Sequence, residues 1–127
     1  MAINEEYRQL EVAAEVEELT RTLAHSTRDV PNPQDSYRIL GELGAIIDHV
    51  AQVCEQVGRW HGHAEDGTHY EGEDGDSTGS PRAAADELAT AANALKVASS
   101  HVHRAHSHNG VVRWYPEPKR ADDERTV

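Results

Sequence analysis

Between residues 40 and 57 the apolar side chains recur as Leu40, Leu43, Ile47, Val50, Cys54 and Val57, an unbroken 3-4-3-4-3 alternation. Ile39, Ile46, Val53 and Trp60 repeat every seven residues beside it. Only an α-helix brings positions three and four apart onto one face, so this stretch has to be helical. The combined stripe is broader than the seam of a two-stranded coil and suits the core of a bundle. Gly41 and Gly44 weaken the helix intrinsically, but lying beside the stripe they would let a neighbouring backbone come close. Asn32 reads as an N-cap with Pro33 in the first helical position and Asp35 in the first turn, which predicts a helix over about 33–59.

Two further segments carry a helical period. Ala84, Leu88, Ala91, Leu95, Ala98, Val102 and Ala105 alternate by four and three. Ser80-Pro81 starts that helix and Asn109-Gly110 reads as a left-handed C-cap, placing it at about 81–108. Near the N-terminus, Ile3, Tyr7, Leu10 and Ala14 form one stripe, and Val12, Val16, Leu19 and Leu23 form another on the opposite face of a helix over about 3–25. Ala13-Ala14 favour continuity through the change of face. Val111 to Tyr115 reads as a short extended segment stopped by Pro116. The expected fold is all-α: a three-helix bundle in a single domain over 1–115, followed by a charged tail over 116–127. The second and third helices form an antiparallel core pair, and the first packs across them.

Residues 61–80 have no apolar period, five glycines and the acids Glu65, Asp66, Glu71, Glu73, Asp74 and Asp76 with no base. This composition predicts a flexible acidic loop. The chain as a whole carries 23 acidic against 12 basic residues, a formal charge of −11, and 37% hydrophobic residues with no Phe. Such a balance repels phosphate backbones, which argues against direct nucleic-acid binding and for a basic protein partner or simple solubility. No run reaches the ~18 apolar residues that a membrane span requires. The acidic start, Met1 to Glu6, has no signal-peptide pattern. One cysteine, Cys54, excludes an internal disulfide and suits a reducing compartment, so the expected location is the cytoplasm. The excess of ten Arg over two Lys is common in proteins of GC-rich bacterial genomes.

Four histidines, His101, His103, His106 and His108, cluster near the end of the third helix. Helical metal sites use ligands at i,i+3 or i,i+4, and within the cluster only His103 and His106 have that spacing. The cluster is the one candidate metal site, and the reading adopted is a polar helix flank with no metal, no cofactor and no catalytic residue. The acidic loop does not match a calcium-binding loop, because the sixth position from Asp66 is Glu71 where glycine is needed. Cys54 falls inside the apolar stripe, where a thiol behaves as a small hydrophobe.

Trp60-His61-Gly62 and the spacing of Tyr70 to Asp74 resemble in part the Trp-x-Gly and Tyr-x-x-x-Asp/Glu motifs of helical-hairpin substrates of type VII secretion. The turn at 28–34 lacks the Trp of that pattern, and a long loop follows Trp60. Arg104 and His108 resemble the Arg–His pair of HEPN ribonucleases but have only three residues between them. The chain is assigned to neither family. The expected function is that of a small acidic, non-catalytic interaction or adaptor protein. It would act as a homodimer or on a protein partner, through Ile3, Tyr7 and Leu10 and through the loop carboxylates, and could inhibit a basic partner. A metal-binding protein or metal-dependent enzyme using the His101–His108 cluster and a type VII-secreted helical protein are the alternatives.

Overall fold

The computed structural model describes residues 5–72 and 80–120. The chain is all-α, with a 3-10 turn at Glu5–Tyr7 and three helices: α1 (Gln9–Ser26), α2 (Asp35–His63) and α3 (Pro81–Asn109). No strand occurs among the described residues. The chain divides into two compact units, one of them Gln34–Trp114, which holds α2 and α3 packed together, and the other holding α1.

α1 runs without a break through Ala13 and Ala14. It starts later than the apolar spacing suggests, because Arg8 (φ −111°, ψ 9°) leaves the helical region and separates the 3-10 turn from Gln9. Tyr7 and Leu10 therefore do not share one uninterrupted helix. No residue of α1 is buried. Ion pairs on its surface, Arg8–Glu11 at 3.3 Å and Arg21–Glu17 one turn apart, each add only a few tenths of a kcal/mol.

α2 begins at Asp35, two residues later than expected, with Gln34 at the N-cap and no side-chain capping bond. Its far end runs four residues beyond Arg59. His61 Nδ1 donates to the Val57 carbonyl at 2.8 Å and His63 Nδ1 to the Arg59 carbonyl at 2.7 Å. These ring N–H groups satisfy terminal carbonyls, so residues 61–63 are helical where a loop was expected. The next residues fold locally. The Glu65 carbonyl accepts from the Thr68 and His69 amides, the Glu65 amide donates to His69 Nδ1, and Asp66 Oδ1 accepts from the Gly72 amide at 2.8 Å. Gly67 (φ +85°) and Gly72 (φ +64°) supply the left-handed backbone this turn requires.

Ser80 caps α3 as its sequence implies, its Oγ accepting from the Ala83 amide at 3.1 Å. The other end departs from expectation: Gly110 is right-handed (φ −64°, ψ −16°), so no left-handed cap forms. The Gly110 amide bonds back to His106 and Ser107, and Val112 to Asn109, tightening the last turn. Asn109 is committed elsewhere, donating to Ser36 Oγ at 3.0 Å and accepting from Trp114 Nε1 at 2.9 Å.

Ser36 meets Asn109, Tyr37 meets His106, Asp48 meets Ser99, Glu55 meets Lys96 and the Gly58 position faces Leu88. Residue numbers fall on α3 as they rise on α2, so the pair is antiparallel. The innermost line on α2 is Gly44-Ala51-Gly58 and on α3 Ala85-Ala92-Ser99, both with a seven-residue period, and the more open Tyr37 and His106 continue it by one step each. Ala51 and Ala92 are each 2% exposed, Gly44 and Gly58 are buried, and among the described residues no large side chain is fully buried. The line Ile39-Ile46-Val53-Trp60 lies two positions, about 200°, away from that seam. Val53 (54%) and Trp60 (56%) accordingly remain exposed.

Candidate functional site

The polar end of the α2–α3 seam gathers most of the chemistry-bearing side chains. Gly44 and Gly41 sit three apart on α2, and His103 and His106 sit three apart on α3. A Cβ on Gly44 would lie 2.7 Å from His103 Cε1, and one on Gly41 would lie 3.2 Å from His106 Nε2. Here the glycines admit imidazole rings, not the close backbone expected of them. That closer backbone approach occurs at Gly58, whose Cβ would lie 3.3 Å from Leu88 Cβ and 3.7 Å from the Ala85 carbonyl oxygen. His106 stacks on Tyr37 with ring centroids 4.1 Å apart.

Asp48 joins the two helices. Its Oδ1 accepts a short hydrogen bond from Ser99 Oγ, and its Oδ2 lies 3.1 Å from His103 Nε2. The Ser99 hydroxyl, then the His103 hydrogen bond, hold the Asp48 carboxyl below the usual carboxylate value. Ser, His and Asp are present, but their connections do not make a nucleophile. An activated serine passes its proton to a base, whereas Ser99 points its proton at a carboxylate whose proton affinity is lowered. His103 binds the other oxygen of that carboxylate, and Ser99 itself is only 4% exposed. The arrangement clamps α2 to α3.

The four histidines do not converge. His103 faces Asp48, His106 faces Tyr37, His101 Nδ1 accepts from Arg104 at 3.4 Å, and His108 is exposed in the last turn of α3. Among the described residues no three His, Cys, Asp or Glu side chains come together as a group able to hold a metal. Cys54 is partly buried.

Of the expected contact residues, Tyr7 and Leu10 are each 88% exposed, and Glu65, Asp66 and Glu71 are exposed on the turn after α2. Asp66 spends one carboxylate oxygen on that turn. Ile3, Glu73, Asp74 and Asp76 lie outside the described residues. The residues that sequence reasoning missed are Tyr37, Asp48 and Ser99. For Ser99 the signal was the seven-residue recurrence of small side chains, Ala85-Ala92-Ser99, overshadowed by the larger aliphatic stripe; Tyr37 and Asp48 carried no such signal. No helix of the described residues is long and apolar enough to cross a membrane. No family model, no curated protein and no solved structure matches the chain.

Proposed function

We propose that this chain is a small acidic, non-catalytic interaction protein that acts by docking helix on helix, with α1 supplying the contact surface. The observation that carries this reading is that α1 buries no residue although it bears the apolar stripe Val12-Val16-Leu19-Leu23, with Leu10 on the opposite face. Leu10 (88%) stands on one face and Leu19 (69%) on the other. In proteins most of a helix's stability comes from packing its apolar face. Glu11, Glu15 and Glu18 flank the Leu19 stripe, and the first two share the single cation Arg8, at 3.3 and 3.8 Å. The flank therefore stays net negative and favours a partner with a basic rim or a second copy offering its own apolar face. Inhibition of a basic partner follows if those carboxylates cover its binding site.

Light scattering of the full chain, with Leu10→Glu and Leu19→Glu variants, tests the reading. The expected result is a mass above that of the monomer, or a defined complex recovered from source cells, which one of the two variants abolishes while helicity by circular dichroism is retained. A chain that stays monomeric at tens of micromolar and co-purifies with nothing would refute it.

A further inference from the structure

At the end of the hairpin opposite the Asp48 clamp, α2 and α3 leave an open groove of about 480 Å³. Its volume falls in the range of small-molecule sites, ~300–1,000 Å³. Gly58 and Gly62 from α2 and Ala85 and Ala89 from α3 line it without any long side chain. At Gly62 a Cβ would meet only Ala85 Cβ, at 3.8 Å, so the floor is flat and apolar there.

The same groove is cationic in a chain of formal charge −11. Arg59 and Arg82 both line it, one from each helix. Neither guanidinium forms an ion pair or side-chain hydrogen bond with any described residue. The carboxylate on the groove wall, Glu55, is already held by Lys96 at 3.2 Å. His63 donates from Nδ1 to the Arg59 carbonyl, which leaves its Nε2 free for a ligand. Two guanidiniums that line one groove from facing helices, with no ion-pair partner among the described residues, offer charge-assisted donors to a planar or tetrahedral oxyanion.

We propose that this groove is a binding site for a small organic oxyanion, its charged head held between Arg59 and Arg82 and its apolar body laid on the Gly/Ala floor. The groove is built from residues of α2 and α3 alone, so it stands or falls independently of the helix-docking reading.

Calorimetric titration of the full chain with phenyl phosphate, benzoate and inorganic phosphate tests it. Phenyl phosphate against benzoate distinguishes a phosphate from a carboxylate head, and inorganic phosphate shows what the charge alone contributes. The expected result is that phenyl phosphate or benzoate binds at least about tenfold tighter than inorganic phosphate. Arg59→Gln and Arg82→Gln each weaken that binding by about tenfold or more, as loss of a charge-assisted bond does. Gly62→Leu, which fills the floor and leaves the charge unchanged, abolishes it. Bound ligand also slows alkylation of Cys54, whose side chain lines the groove. Thermal melts by circular dichroism confirm that each variant is folded. Equal affinity for all three probes, or affinity unchanged in the folded Arg59→Gln and Arg82→Gln variants, would overturn the proposal.

Discussion

Glycine-to-alanine substitutions along α2 read the closeness of the two helices directly, because the same methyl group meets a different neighbour at each position. In a helix interior the change is worth about 0.5–1 kcal/mol in favour of alanine, through backbone entropy and propensity. At Gly62 the added Cβ makes an ordinary contact at 3.8 Å, so Gly62→Ala stabilises by roughly that amount, towards its lower end in the last turn. At Gly58 the methyl meets Leu88 Cβ at 3.3 Å, an atom attached to the backbone of α3 that cannot rotate away. Relieving that contact means separating the helices, and overpacking of this kind costs about 1–3 kcal/mol. Gly58→Ala therefore lowers stability by about 0–2 kcal/mol after the propensity gain. At Gly44 the methyl would overlap His103, whose ring can swing outward at the expense of a half-exposed bond to Asp48, itself of little net value. Gly44→Ala thus falls between the other two, within about 1 kcal/mol of the native chain. Urea denaturation followed at 222 nm, with the slope checked for constancy, gives the three values. Equal stabilisation at Gly58 and Gly62 would refute the close α2–α3 seam.

Leu43 and Leu95 are only half-buried, so truncating either to Ala should cost about 1–3 kcal/mol, below the ~2–5 kcal/mol of a fully enclosed leucine; urea midpoints at constant slope check this. The carboxyl of Asp48 titrates lower when folded than when unfolded, so its contribution is present above the unfolded value and is lost as pH falls through the folded one. Acid titration followed by circular dichroism should accordingly show the native chain losing stability below about pH 4 more steeply than Asp48→Asn. Replacing residues 64–79 by six Gly/Ser residues, with the Ser80 cap kept, should keep the helicity and change the unfolding free energy by no more than about 1 kcal/mol, since loop-closure cost varies slowly with length. Collapse of the fold in that variant would mean that the loop packs against the helices.

The three helices and their all-α class were legible in the residues because periods of three and four have one physical solution, and because Ser80-Pro81 is a start signal that depends only on local chemistry. Continuity of α1 through Ala13-Ala14 was legible for the same reason. Helix ends were less so. The extension of α2 to His63 rests on imidazole bonds to carbonyls one turn back, and the right-handed Gly110 accompanies the commitment of Asn109 to Ser36 and Trp114. Local propensity does not report such partners. Which face of α2 meets α3 was decided by tertiary structure alone. Hydrophobicity favoured the large aliphatic stripe, but two helices come closest where side chains are smallest, along Gly44-Ala51-Gly58 and Ala85-Ala92-Ser99. The sequence by itself determined how many helices there are and roughly where they run. The fold decided that His103 and His106 turn towards Asp48 and Tyr37, and that Arg59 and Arg82 share a groove, because these pairings join residues distant in sequence and depend on the register of one helix against the other.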